Sequence, residues 1–398
     1  MAQKLWQTGS ALHPLVEAFT VGDDSVIDQK LIPYDIQASI AHAKMLARIG
    51  VLSPEEYKTA EQGLQKIYTL WENGKFMVQK AQEDGHTAIE QFLTTEYGEV
   101  GKKIHTGRSR NDQSLVMVRL FAKAKLKTLQ ELLNTLIKIF AEKKQEGEGV
   151  VMPGYTHTQK AMPTTVFLWL ESFQHGFEDM DRLLESVAKM IDQNPLGSAA
   201  GFGVPHLVLD RDFTTKELGF AKTQENPLYC ALSRGFFENI ILQSLSGIMI
   251  LSARFASDMI FFTAQETAFF ALPDAFVTGS SIMPQKKNYD LFEIMRGNVR
   301  VFTAFQQSIQ NIIASLGSGY HRDLQLTKKP FVDGIELAES TLQLLIAAVP
   351  EIIIHHENLK NALTDDLFLT EKVYQKVANG ECFRDAYQEV KREFFGIE

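Results

Sequence analysis

Cysteine is nearly missing from this chain: Cys230 and Cys382 are the two present among 398 residues, with no Cys-x-x-Cys and no metal-finger spacing. That excludes a disulfide scaffold and a zinc site, and it fits a reducing compartment. A positive excess is missing too. Forty Lys and Arg face 49 Asp and Glu, and the formal net charge of -9 argues against a nucleic-acid binder, whose footprint would be a basic face. Uninterrupted apolar runs are absent: the greasiest segment, 240–270, is broken by Gln243, Arg254, Asp258 and Glu266, and the N-terminus lacks the apolar core of a signal peptide. No membrane span is expected, and the expected location is the cytoplasm.

Proline is unevenly spread, and the stretches without it carry the architecture. Residues 228–272 and 285–329 contain none, so long helices fit there. In the first, Phe237, Ile241, Leu245, Ile248, Leu251, Phe255, Met259 and Phe262 recur at threes and fours; in the second, Phe302, Phe305, Ile309, Ile312 and Leu316 do the same. Two further stripes run from Leu115 to Phe140 and from Phe173 to Ile191. Alternating β-branched runs are scarce. The expectation is an all-α protein with three helical parts: an N-terminal domain over 1–106, a central long-helix bundle over 107–350, and a short C-terminal domain over 351–398. Helices of about 60 Å at 1.5 Å per residue exceed what one small domain covers, which points to a homo-oligomer.

Polar loops punctuate these helices. "GSSIMPQKKNYDLFE", residues 279–293, is not a P-loop, because Gln285 takes the place of the second glycine and Lys287 that of the hydroxyl. Its Ser280, Lys286 and Asn288, just ahead of a helix, can converge with backbone N–H groups on an anion. A plain helix N-cap by Asn288 or Asp290 accounts for the loop equally well taken alone. "TGRSRNDQ", residues 106–113, opens another helix; a capping box explains Ser109 and Asp112 but not Arg108, Arg110 and Asn111. "MPGYTHTQKAMPTT", residues 152–165, sets Tyr155, Thr156, His157 and Gln159 in a turn. A hydroxyl, a histidine, several cations and amides at helix ends suit catalysis on a polycarboxylate without metal or cofactor.

"GSSIMPQKKN" resembles the signature loop of the fumarase, aspartase and argininosuccinate lyase superfamily. Within it, "HTGRSRNDQ", "MPGYTHTQKAMP" and "SGYHRDLQLTKK" are most similar to the argininosuccinate lyases, and the similarity runs from "KLW" to "FRDAY". The resemblance implies a β-elimination that releases fumarate and arginine in arginine biosynthesis, with Ser280 as general base. Lys286 and Asn288 would stabilise the dianion, and His157, oriented by Glu293, would act as acid. It further implies that Arg110, Asn111 and Thr156 bind carboxylate, that His86 completes the fumarate side, and that Tyr320, Gln325 and Lys328 hold the arginine half. Members of the family are homotetramers whose active sites gather loops from three subunits.

The chain also departs from the family pattern. "KLWQTGS" stands in place of a Gly-Gly-Arg-Phe element, Tyr289 replaces a proline, His321 replaces an asparagine, and the C-terminal region is short. The binding serine expected near "VGDDSVID" is Ser25, or its place is taken by Asp24. Two rival readings stand beside the lyase: a sister enzyme that releases fumarate from another succinyl-amine adduct, and a catalytically silent, crystallin-like structural homologue.

Overall fold

The computed structural model describes residues 13–396 and is built almost wholly of helix. Among the described residues, fifteen α-helices face eight strands, six of which are only two residues long, so the expected all-α class holds. The "KLWQTGS" departure lies outside the described residues.

Each proline-poor stripe becomes one long helix: Arg110–Glu146, Val166–Ile191, Phe236–Phe262 and Asp290–Ile313. A fifth, Lys328–Ala348, carries Pro330 in its first turn, where the missing N–H costs no helical bond. The stripes face inward as their spacing requires. Leu126, Leu129, Leu133, Leu136 and Phe140 are buried along the first, and Ile241, Leu245, Ile248, Phe255 and Met259 along the third. The fourth stripe ends early. Its helix stops at Ile313, and Leu316 falls in the glycine-containing segment before Tyr320. Phe236–Phe262 is long and apolar enough to cross a membrane by composition, but its Leu245, Phe255 and Met259 are core residues.

The chain forms two compact units. Of the described residues, the first comprises 13–130, 183–246 and 302–337; the second comprises 131–182, 247–301 and 338–396. In the first, the helices Asp24–Arg48, Pro54–Glu72 and Gly85–Tyr97 close around Ile32, Ile36, Leu46, Leu64, Ile67 and Leu93. Two caps set their starts. Ser53 and Glu56 form a capping box ahead of Pro54, and Asp84 accepts the Thr87 N–H at 2.8 Å just before His86. The second unit contains an antiparallel hairpin, Val151–Thr156 with Gln159–Thr165, and a smaller one, Thr278–Gly279 with Lys287–Asn288.

The second unit's core is aromatic. Phe255 lies 5.4 Å from Phe140, 5.2 Å from Phe173, 5.6 Å from Trp169 and 6.2 Å from Phe292, centroid to centroid. Trp169 stacks on Phe270 at 4.9 Å and donates its indole N–H to Asp258 at 2.9 Å. Removing a ring shared by four neighbours leaves a cavity that rigid rings cannot fill. Phe255→Ala is expected to lower unfolding stability by about 3–5 kcal/mol. Urea titration of the variant against the parent measures the loss, and a change under about 1 kcal/mol contradicts this packing role.

Candidate functional site

The first unit contains a cleft of about 230 Å³ lined by charged and polar side chains, among them Asp24, His86, Arg110, Asn111, Arg234 and Lys328. Tyr320 and Gln325 line it as well. Six residues expected on sequence grounds to bind substrate therefore share one concavity with Asp24: His86, Arg110, Asn111, Tyr320, Gln325 and Lys328. Ser25, in contrast, is buried and does not line the cleft.

His86 sits in the first turn of the Gly85–Tyr97 helix. Its Nδ1 is 2.5 Å from Asp35 Oδ2, and its buried Nε2 has no hydrogen-bond partner among the described residues. Asp35 also accepts from Ser39 at 3.2 Å, Ser39 accepts from Arg108 at 3.0 Å, and Arg108 Nη2 lies 3.7 Å from Asp35. Burial alone would lower the imidazole pKa, but the Asp35 carboxylate reverses this, and the net shift is upward. Burial likewise presses Asp35 up, and His86 and Arg108 together bring it below the ordinary carboxylate value. Arg108, which capping left unexplained, thus serves the network behind the cleft.

Arg110, in the first turn of the Arg110–Glu146 helix, is held by Glu83 at 3.0 Å, Thr87 at 2.8 Å and Asp84 at 3.5 Å. Asp112, two residues on, accepts from the N–H groups of Ser109, Gly197 and Ala199, so the acid of the expected capping box also ties down a second loop. Lys328 is buried between Asp28 at 2.7 Å and Asp24 at 3.0 Å; burial would lower its pKa, but the two carboxylates raise it. Gln325 donates to the carbonyls of Thr20 and Val21.

Sequence reasoning missed Arg234. Only 7% exposed, its guanidinium lies 5.0 Å from the Tyr320 ring centroid and lines the cleft. Two neighbours set its place. Arg119, itself buried, donates to Ser233 Oγ at 3.0 Å, and Gly235 follows at φ +74, where an added Cβ would come within 2.6 Å of Ile313. The signal in the sequence was a lone arginine followed by glycine at the head of a long apolar helix.

The remaining expected residues belong to the second unit. Thr156 and His157 are exposed at the tip of the larger hairpin, where His157 and Thr158 both take positive φ, 54 and 61. Two such residues are what a tight two-residue hairpin turn requires. Ser280 follows the first strand of the smaller hairpin, and its Oγ accepts the N–H groups of Ile282 at 3.3 Å and Met283 at 3.1 Å. Lys286, Asn288 and Glu293 share a cleft of about 470 Å³. The hairpin is pinned by Lys287 to Asp274 at 2.6 Å and Thr278 to Asp290 at 2.5 Å. Among the described residues no hydrogen bond joins His157 to Glu293, and both are exposed.

A protein-family model described as Lyase matches residues 9–302. The argininosuccinate lyase of Thermotoga neapolitana is 43% identical over 394 residues, which cover 99% of this chain and 99% of that one. The argininosuccinate lyase of Sorangium cellulosum is 41% identical over 397 residues, 100% of this chain and 92% of that one. Among solved structures, an EDDS lyase in complex with formate aligns with a TM-score of 0.78 at 23% identity, over 98% of this chain and 77% of that one. Class II fumarase from Schistosoma mansoni aligns with a TM-score of 0.79 at 15% identity, over 96% and 93%. At those identities the two structures bear on fold alone, and the fold is the same long-helix one.

The Asp35–His86 pair makes a pH prediction. The raised imidazole contributes stability that is complete below its ordinary value of 6.5 and fades as pH climbs through the higher folded-state value. The lowered carboxylate contributes stability that is complete above 3.8 and fades as pH falls through its folded-state value. The pair therefore stabilises most between 3.8 and 6.5. Asp35→Asn should cost about 3–5 kcal/mol in that window and shift the His86 titration, followed by NMR, to lower pH. An unmoved midpoint contradicts the pairing.

Proposed function

Because this chain belongs to the argininosuccinate lyase family, we propose that it splits argininosuccinate into arginine and fumarate by β-elimination, in the service of arginine biosynthesis. The proton to be removed sits on carbon next to a carboxylate and is barely acidic. Its loss puts a second negative charge on that carboxylate, so fixed donors and cations must meet the charge where it develops. The C–N bond then breaks, its electron pair leaves with the guanidino nitrogen, and that nitrogen takes up a proton.

Ser280 is the proposed base. A neutral serine hydroxyl is too weak a base for this proton, so the alkoxide must be reached, which donors to the oxygen favour by lowering the hydroxyl pKa, and two backbone N–H groups already point at it. That geometry is the observation carrying the chemistry: the donors that cap the turn are the ones an alkoxide would need. Lys286 and Asn288, beside it on the hairpin, would stabilise the dianion. His157 would give a proton of its own to the leaving guanidine, with Glu293 orienting it, and Thr156 would bind carboxylate at the same hairpin tip. In the other unit, His86, Arg110 and Asn111 would take the fumarate half, and Tyr320, Gln325 and Lys328 the arginine half.

The proposed working form is a homotetramer with active sites shared between subunits. It is supported by apolar side chains on the outer faces of the long helices, including Leu168 at 53%, Ile250 at 50% and Ile294 at 64% exposure, which a partner helix would cover. The proposed compartment is the cytoplasm, consistent with two free thiols, Cys230 buried and Cys382 exposed.

Purified protein given argininosuccinate should release fumarate, followed by its ultraviolet absorbance, and Ser280→Ala should slow release by ~10²–10⁴-fold while the fold is retained by circular dichroism. No fumarate from the parent protein, or an unchanged rate in the variant, would overturn the reading.

A further inference from the structure

The first-unit cleft contains an acid that carboxylate binding does not explain. Two of its anions are committed: Glu83 and Asp84 hold Arg110. Asp24 is different. Its contact is Lys328 at 3.0 Å, and Lys328 lies closer to the fully buried Asp28, at 2.7 Å. Asp28 is satisfied a second time, by the Gly85 N–H at 3.0 Å. One ammonium thus faces two carboxylates, and the one at the cleft wall is the less well matched. Burial pushes the Asp24 carboxyl up to about 6, against the opposing pull of Lys328 and Arg234, as expected for an anion whose compensation is incomplete. An acid in the first turn of the Asp24–Arg48 helix also suits the helix dipole, but that role works equally well in solvent and does not call for a cleft wall.

The substrate supplies what is missing. The far end of its arginine half is an α-amino acid head, one carboxylate and one ammonium on the same carbon. Arg234 and Lys328 can draw the carboxylate, whereas the ammonium is repelled by both and needs an anion beside them. We infer that Asp24 is a specificity-determining residue that receives the α-ammonium of the arginine half. This rests on the argininosuccinate lyase reading and adds to it the group that tells an amino acid from its uncharged analogues. Ser25, the next residue, is buried and does not line the cleft, so the anion at this wall is Asp24.

The test compares L-arginine with argininic acid, which has an α-hydroxyl in place of the ammonium and is otherwise the same. Binding of each to the full-length protein is measured by calorimetry, in the parent, in Asp24→Asn and in Asp24→Ser. The parent is expected to prefer arginine by about tenfold or more, the worth of one charge-assisted hydrogen bond. Both variants should bind the two ligands within about twofold of each other, and the KM for argininosuccinate should rise more than kcat falls. Unchanged inhibition by succinate would verify that the rest of the cleft is folded. A parent without preference, or variants that keep it, would overturn the inference while fumarate release continued. A parent that releases no fumarate would instead remove the functional reading, and the inference with it.

Discussion

Three carboxylates on one stripe of the Asp24–Arg48 helix hold the first unit's cleft together. Asp24, Asp28 and Asp35 are spaced by four and seven residues, which brings them within about 40° of one another around the helix axis. Together they tie down residues distant in the chain. Asp28 and Asp24 share Lys328, Asp28 also fixes the Gly85 N–H, and Asp35 grips His86 and Arg108. Charges this deeply buried are tolerable only when paired. The cleft is therefore assembled by the same ion pairs that make it affordable.

The cations split into two kinds. Arg108 and Arg119 are spent inside the protein, the first on Asp35 and Ser39, the second on backbone carbonyls, Ser233 and the Phe237 ring at 4.2 Å. Arg110, Arg234 and Lys328 reach the cleft. The first kind supports the cleft from behind: Arg119 fixes the residue before Arg234, and Arg108 belongs to the Asp35 network that holds His86. A net charge of -9 is thus compatible with a site for a polycarboxylate, because local placement outweighs the total.

The second unit solves a different problem. Its aromatic core is built around Phe255, and two hairpins carry His157 and Ser280 at exposed positions: the larger is anchored by buried Met152 and by Tyr155 against Phe261 at 4.9 Å, the smaller by Lys287 to Asp274 and Thr278 to Asp290. Rigid scaffold and projecting loops are what a site assembled between subunits would need, with backbone strain at His157 and Thr158 concentrated where the proposed chemistry lies. Tyr289 is half-buried beside Asn288 and His321 is exposed. Neither departure displaces a residue of the first unit's cleft.

The amino-acid sequence by itself determined the helices, because apolar residues at threes and fours have one way to be buried together and proline was absent where it would have broken them. It determined the family as well, since the signature loop and its companions are local strings whose residue types and spacing need no third dimension to be read. It did not reveal that Asp24 rather than Ser25 faces the cleft, because neighbours on a helix point about 100° apart and only packing decides which is turned inward. Nor did it reveal Arg234, whose relevance depends on Tyr320, more than eighty positions later in the chain. The pairing of Asp35 with His86 was equally hidden. Charge partners distant in sequence are chosen by tertiary proximity and burial, and those are the two quantities a linear pattern does not contain.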